Sequence, residues 1–312
     1  MSTLQNSKNE GLPGTKSGQT RQIVHDLLAC ARVDESDIRV SLDRILIQLR
    51  RYFSLQQAVI SRTDIDSCLF EYVSGQAVET RPGAQLPRSE VFCSKVVGGE
   101  TPLWIPDLAS SQYRDHPFRT KHGVECYIGG RLAVAGRVFG TLGLIGSSAR
   151  SKSFDDDDEL VLEVAISQIS LLLSLDEARQ RFHLAISGAN VGIWDWDIRA
   201  DALYWSPRHL EILGISDPDH QPSAEDYRRR VHPDDLNRIR DSQREHLDSH
   251  KPMDIEYRVK RGSEWVDIRA RGQAVWDENG QAVRMAGSIE DITAQKLERE
   301  ALAISEERYQ LA

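Results

Sequence analysis

Four cysteines are the most nucleophilic side chains of this 312-residue chain, and all of them lie in its first half. A thiolate can bind a soft metal ion or attack an electrophile. No two of these cysteines form a CxxC pair, and none stands at ligand spacing from a histidine, so a structural zinc site is not expected. Four are also too few for a secreted disulfide scaffold of this length. They are Cys30, Cys68, Cys93 and Cys126.

Two acidic features could also carry chemistry. The run Asp155–Asp158 lacks the alternating ligands and the glycine of a calcium loop, so it predicts a solvated helix start, where negative charge complements the helix dipole. Asp291 precedes an exit helix for which Thr293 is the expected N-cap. We expect Asp291 to pair with a basic residue on an adjacent strand, first Arg269 and second Arg271. Such a pair would help to cap the helix.

Composition excludes several classes of protein. The chain has 39 basic and 48 acidic residues, a net charge of −9, which argues against nucleic-acid binding. Hydrophobic content of 40% is that of a globular protein, and the length predicts about two domains. No run of about 18 apolar residues predicts a membrane segment, and the N-terminus lacks a signal-peptide core. A cytoplasmic location is therefore expected.

The first half predicts a polar tail over 1–20, two helices, and then short strands rich in branched and aromatic residues. A turn at Gly136 predicts an antiparallel hairpin. A long helix follows Asp158, with apolar or small residues spaced three and four apart. This spacing fits either packing on the domain's own sheet or a dimer seam. The residues are Leu162, Ala165, Ile169 and Leu172.

The second half predicts strands separated by helices. Alternation is strongest over 253–260 and repeats over 265–271, and Asn279-Gly280 predicts a hairpin turn. The exit helix from Ala294 has apolar residues spaced three and four apart as far as Leu311, too few heptads to establish a coiled coil. The order of elements indicates an α+β fold with antiparallel sheets.

The region from Phe182 to about Lys296 resembles a PAS domain of bacterial sensor proteins. Its segments occur in the family's order, and the final residues 304–312 resemble the lead-in helix of a further PAS repeat. The resemblance rests on GIWDWDI (192–198), YWSPRHLEILGI (204–215), VHPDDL (231–236), EYRVKR (256–261), Trp265 with Arg269, and DIT (291–293).

Residues 21–175 resemble a GAF domain through the order and spacing of three segments and the helix after Phe154. Together the resemblances imply an α+β chain with two domains, each an antiparallel sheet flanked by helices. The segments are VFCSKVVGGETPLWIPDL (91–108), ECYIGGRLAV (125–134) and GRVFGTLGLI (136–145). The expected organisation is a tail over 1–20, a GAF-like domain over 21–175, a helical linker over 176–184, a PAS-like domain over 185–293 and an exit helix over 294–312.

Both resemblances imply a small-molecule pocket between sheet and helices, or a plain dimerisation module. Haem in the PAS-like domain would need an axial histidine, and His232 and His246 lie in the helical segment where one could sit. His232 fits a helix start and His246 is expected to be exposed, so haem is not expected. The absence of cysteine excludes a flavin adduct there, and no cofactor or metal is predicted. The ligand-pocket candidates are Cys93, Trp104, Cys126, Tyr127, Trp194 and Trp196.

The PAS resemblance also implies that Asp291 and Thr293 latch the sheet to the exit helix, a role that can hold together with simple helix capping. It further implies what the chain does. We expect the sensory part of a bacterial signalling protein, acting as a homodimer on an unknown small ligand. The output domain, a histidine kinase or, ranked slightly lower, a diguanylate cyclase, would follow residue 312, and the chain itself would not be an enzyme. Two alternatives stay open: a scaffold whose exit helix binds a partner, and a GAF-type free methionine sulfoxide reductase using Cys93 and Cys126. The second lacks the family's middle cysteine. A cyclic-nucleotide site is not favoured, because Phe154, Asp158 and Glu159 match only half of its signature.

Overall fold

The computed structural model describes residues 16–30, 38–78, 80–217 and 219–310, with side chains in the last helix described through 306. The chain divides at Arg181 into two compact units. Helices of the first unit are α1 (Lys16–Cys30), α2 (Ile38–Phe53), α3 (Cys93–Gly98), α4 (Pro117–Thr120) and α5 (Asp156–Ala189). Its strands are β1 (Gln57–Thr63), β2 (Ser67–Gly75), β3 (Gln85–Pro87), β4 (Leu103–Ile105), β5 (Cys126–Val134) and β6 (Arg137–Gly146).

The first sheet has six antiparallel strands in the order β3-β2-β1-β6-β5-β4. The predicted hairpin joins β5 to β6 through Ala135 and Gly136, whose φ angles of 49° and 76° are those of a tight two-residue turn. Helix α5 supports this hairpin from one side. The hydroxyl of Ser170 accepts a hydrogen bond from the backbone N–H of Ala133, and that of Ser174 accepts one from Ala135, each at 3.3 Å.

The two faces of this sheet carry separate cores. On one face, α1, α2 and α5 pack against residues such as Ile60, Ile128 and Leu144. On the other, α3, α4 and the loops cover a core that includes Phe92 and Tyr127. Because successive strand residues point to opposite faces, neighbours along β5 belong to different cores.

The start of α5 differs from the predicted solvated cap. Asp155 and Asp158 form a reciprocal capping box, since each carboxylate accepts the other's backbone N–H at 3.2–3.3 Å. Asp158 is 1% exposed, and Arg150 lies 3.5 Å from its carboxylate. This acidic residue is therefore a buried anchor of the helix rather than part of a solvated face.

Two further expectations for the first unit are settled by packing. The predicted tail is wrong over residues 16–20, which form the first turn of α1, while residues 1–15 lie outside the described part of the chain. The possible dimer seam on α5 packs on its own sheet instead, because all four of its residues are buried there. They are Leu162, Ala165, Ile169 and Leu172.

The second unit also builds an antiparallel sheet with helices on it, in the strand order β8-β7-β11-β10-β9. Its strands are β7 (Gly192–Asp197), β8 (Ala202–Trp205), β9 (Met253–Arg261), β10 (Glu264–Trp276) and β11 (Ala282–Asp291). Its helices are α6 (Pro207–Ile212), α7 (Ala224–Arg230), a 3-10 turn (Pro233–Asp235), α8 (Leu236–Ser249) and α9 (Thr293–Gln310).

Alternation along β9 and β10 places the predicted apolar residues inside, and Ile255, Tyr257 and Val259 are all buried. The Asn279-Gly280 turn is also confirmed. Gly280 has a φ of 74°, and the Asp277 carboxylate accepts the backbone N–H of Asn279 at 3.0 Å. None of the described helices is both long and apolar enough to cross a membrane.

A buried carboxylate ties α8 to the sheet. Asp235 is 5% exposed and accepts hydrogen bonds at 3.0 Å from the backbone and guanidinium of Arg258 and from Arg238. Burial alone would raise the pKa of this carboxyl, but the bonds from the two arginines outweigh burial and hold the pKa well below its usual range. The ionised form therefore stabilises the fold.

The substitution Asp235→Asn should lower the free energy of unfolding by about 2–3 kcal/mol near pH 7, because charge-assisted hydrogen bonds are lost. Folding lowers the pKa of this carboxyl, so its ionised form stabilises the folded protein at any pH above the unfolded pKa of about 4. This contribution is lost as the pH falls through the folded pKa. Urea denaturation from neutral to acidic pH should show the difference between variant and wild type shrinking. The control Asp234→Asn, at a side chain that is 77% exposed, should have little effect. A difference that stays constant with pH would contradict this account.

Candidate ligand-binding site

A cavity of about 330 Å³ lies in the second unit, between the sheet and helices α6 to α8. Its volume is at the small end of the range for ligand pockets. Five aromatic side chains give it a mainly apolar wall. They are Trp194, Trp196, Trp205, Tyr227 and Tyr257.

A pair of glycines makes room for the first of these tryptophans. Gly272 on β10 stands opposite Gly287 on β11, and Gly287 stands opposite Trp194 on β7. A Cβ atom at Gly272 or Gly287 would lie 2.8 or 2.6 Å from the Trp194 ring. The indole therefore lies directly against the backbone of the sheet, where any larger residue would displace it.

His209 is a residue of this cavity that the sequence analysis did not single out. It is 1% exposed, and its ring stacks on Trp205 at a centroid distance of 4.8 Å. Within the described part of the chain, neither ring nitrogen has a hydrogen-bond partner, although the backbone of Ile193 lies close enough to act on the pKa of the ring; the Ile193 carbonyl accepts the backbone N–H of Ser206 at 2.9 Å. Burial lowers the pKa of His209 to about 3. The backbone of Ile193 favours the protonated ring and offsets only part of this shift. The imidazole is thus neutral, with one N–H donor and one nitrogen acceptor unused.

Cationic side chains from α7 and α8 complete the wall. Arg228 and Arg240 line the cavity together with Gln243, and its lining includes no carboxylate. Arg228 reaches Glu225 at 3.5 Å, with its own side chain 62% exposed. Arg240 makes no ion pair with any residue that the structure describes. The electrostatic bias at this part of the cavity is therefore positive.

The two histidines considered as haem ligands do not line the cavity. His232 accepts the backbone N–H of Asp234 through Nδ1 at 3.3 Å, which supports its predicted role at a helix start. His246 is 1% exposed, so the expectation of exposure was wrong. Its Nε2 accepts the backbone N–H of Ala274 at 2.9 Å, and its Nδ1 contacts the carbonyl of Lys251. Both nitrogens of His246 are therefore already occupied by the fold.

Asp291 joins the sheet to the start of α9, although not through the predicted partner. Its carboxylate accepts the guanidinium of Arg261 at 2.7 Å and the backbone N–H of Thr293 at 3.0 Å. The predicted pair with Arg269 is wrong. Arg269 stands opposite Glu290, one residue out of step with Asp291, so its side chain lies on the other face and binds Asp254 at 2.7 Å.

The predicted N-cap is also corrected. Asp291 binds the first N–H of α9, while the hydroxyl of Thr293 accepts the backbone N–H of Asp267 on β10 at 3.0 Å. One turn later, Lys296 pairs with Asp267 at 2.9 Å and with Glu256 at 3.1 Å. The first turn of α9 is thus bonded to residues of β9, β10 and β11.

The candidates in the first unit do not share one pocket. Cys93 and Tyr127 belong to the core under the loops, whereas Cys126 belongs to the core under the long helices, and Trp104 packs against it. Burial raises the pKa of Cys126 to about 11. The proposed joint use of Cys93 and Cys126 in a reductase is therefore wrong, because the sheet separates them.

The partner of Cys93 is instead Cys68, which the sequence analysis left unassigned. The neighbouring Cys68 thiol, together with Ser61 and Thr141, lowers the pKa of Cys93 despite burial, and the same pairing raises the pKa of Cys68. Ser61 lies 3.4 Å and Thr141 3.5 Å from the Cys93 sulfur. Cys68 lies on β2 and Cys93 on α3, and their separation in the sequence follows no pattern that would predict this cluster.

Comparisons with known proteins fit this arrangement. The profile of the GAF domain family matches residues 37–173, and that of the PAS fold matches residues 202–289. Sensor protein FixL of Bradyrhizobium diazoefficiens is 32% identical over 136 residues, covering 42% of this chain and 26% of FixL. The probable diguanylate cyclase DgcE of Escherichia coli is 27% identical over 160 residues, covering 50% of this chain and 14% of DgcE.

Among solved structures, that of a sensory box histidine kinase/response regulator from Burkholderia thailandensis is 37% identical, with a TM-score of 0.37. The match covers 42% of this chain and 99% of that one. The chain spans about a quarter or less of the length of FixL and DgcE. Both profiles match in the order expected, each on one antiparallel sheet with its helices. The chain therefore carries a GAF domain followed by a PAS domain, a tandem that resembles the sensory regions of bacterial sensor kinases and diguanylate cyclases.

Proposed function

We propose that a small molecule binds in the cavity of the PAS domain and that its binding is passed to α9. The observation that carries this proposal is a shared strand. β10 supplies Ala270 to the cavity wall and, three residues earlier, Asp267 to the first turn of α9. A ligand that displaces β10 would therefore also move the start of α9. A helix with two alternative positions of this kind can relay a signal.

A second strand offers a parallel route. Met285 on β11 lines the cavity, and Asp291 at the end of the same strand holds Thr293 and Arg261. Two of the strands that line the cavity therefore also supply residues bonded to the same helical turn. This supports the role of Asp291 and Thr293 as relay residues, with Arg261 in the place that we had expected for Arg269.

The signal would reach an output domain of the full-length protein in the cytoplasm. Relatives named as a sensor protein and as a probable diguanylate cyclase favour a histidine kinase of a two-component system or a diguanylate cyclase. We rank the kinase slightly ahead. In this proposal the chain itself senses and does not catalyse.

We also propose that the chain acts as a homodimer. With the earlier seam buried and Leu184 apart, the exposed large apolar residues of α5 fall on another stripe, spaced 11, 4 and 7 residues apart, which suits a helix-to-helix contact. They are Leu160, Leu171, Leu175 and Phe182.

Native mass spectrometry tests ligand binding. The purified chain, incubated with a bacterial metabolite extract, should gain the mass of one small molecule per protomer. The substitution Ala270→Leu should abolish this gain because it fills the cavity, while Ala286→Leu, one residue along β11 from Met285 and outside the lining, should not. A chain that gains no mass from any fraction of the extract would overturn the proposal.

Hydrogen exchange tests the latch. Asp291→Ala should speed exchange in the first turn of α9 by roughly tenfold, because the bonds to Thr293 and Arg261 are lost, and leave β10 and β11 protected. Arg269→Ala breaks only the pair with Asp254 and should leave α9 unchanged. Equal exchange in the two variants would argue against the latch, as would unfolding of the whole domain.

Sedimentation velocity at micromolar concentration tests the dimer. The wild-type chain should sediment as a dimer, and Leu171→Glu with Leu175→Glu should yield monomers, because both leucines are about half exposed and a charge there opposes association. The matched change Ile65→Glu, at an exposed residue outside α5, should leave the dimer intact. A monomeric wild-type chain would contradict the proposal.

A further inference from the structure

We propose that the PAS cavity takes a small aromatic carboxylate whose ring carries a second hydrogen-bonding group. This inference rests on the proposed function, because it names the ligand class for the same cavity. Three separate features of the wall carry it: an aromatic cage, a cationic rim and a buried histidine without partners.

The aromatic cage selects a flat apolar body. Trp194 lies against the backbone at Gly272 and Gly287, while Trp205 is held in its stack with His209. Aromatic rings favour offset or edge contacts with one another, which a planar ligand can make on several sides at once. A volume of about 330 Å³ suits one ring with short substituents rather than a large cofactor.

The cationic rim selects a negative charge. Arg228 and Arg240 approach the cavity from two helices, and none of the described residues in its lining is Asp or Glu. Arg228 has a carboxylate partner outside the lining, Glu225 at 3.5 Å, whereas Arg240 has none among the described residues. Arginine binds carboxylates through paired N–H donors, and such charge-assisted bonds are stronger than neutral ones. Gln243, one turn beyond Arg240 on α8, can donate to the same carboxylate.

The buried histidine selects a second polar group. A stacked, neutral imidazole without hydrogen bonds is costly, because buried polar atoms ordinarily find partners. The His209 nitrogens can accept from or donate to a ligand hydroxyl, which would satisfy them. His209 comes from α6 and the arginines from α7 and α8, so the two polar contacts meet different parts of the ligand.

An aromatic cage by itself would also suit an organic cation such as choline. The two arginines and the absence of a carboxylate in the lining oppose that ligand, because like charges would be brought together. We therefore commit to the anion and use the cation as a competing probe.

Isothermal titration with three probes tests the assignment: 4-hydroxybenzoate, its neutral analogue 4-hydroxybenzyl alcohol, and choline. We expect 4-hydroxybenzoate to bind at least about tenfold more tightly than the alcohol, because only the acid meets the arginines. Choline should not bind. Quenching of tryptophan fluorescence provides a second readout from the three tryptophans of the wall.

Two variants assign the contacts. Arg240→Gln should weaken 4-hydroxybenzoate binding by about tenfold, whereas Arg244→Gln, four residues along α8 and outside the lining, should not. His209→Phe keeps the stacked ring but removes both nitrogens. It should weaken 4-hydroxybenzoate while leaving plain benzoate unchanged, and it should raise the thermal midpoint of the empty domain.

The outcomes separate this inference from the proposed function. If choline or the neutral alcohol binds more tightly than the acid, the ligand class is wrong and the sensory role stands. The same holds if no probe binds while native mass spectrometry detects a bound molecule. If neither method detects any ligand, both proposals are overturned.

Discussion

The second unit depends on the register of one long strand. β10 pairs with β9 on one side and with β11 on the other, so the hydrogen-bond register with these two strands determines which of its side chains lie on each face of the sheet. That ladder sets Ala270 in the cavity and Asp267 under α9 at once. A slip of one residue would turn both side chains to the opposite face, and cavity and helix anchor would be lost together.

The two units have similar antiparallel sheets but arrange their aromatic side chains differently. In the GAF domain, aromatic side chains fill the face under the loops, and Phe92 alone contacts the rings of Tyr113, Phe118 and Tyr127. In the PAS domain, by contrast, the aromatic side chains line a cavity instead of filling it. This contrast is the reason why we place the proposed ligand in the PAS domain.

Sequence patterns predicted the elements better than the contacts between them. Alternation over 253–260 and the Asn279-Gly280 turn follow from local physics, which acts through neighbouring residues. The Arg261–Asp291 pair joins residues 30 apart, and its choice over Arg269 depends on which face each strand residue occupies. His209 escaped notice because its distinguishing property, burial without a partner, exists only in the folded domain.

The glycine pair beneath Trp194 has a consequence for how this cavity can change over evolutionary time. With no side chains at Gly272 and Gly287, that part of the floor is bare backbone, and any side chain there collides with the indole. Substitutions that change the ligand preference are therefore most readily made in α6, α7 and α8, because these helices line the cavity but take no part in strand pairing. Such a division allows the wall of the cavity to change while the strands bonded to the exit helix stay as they are.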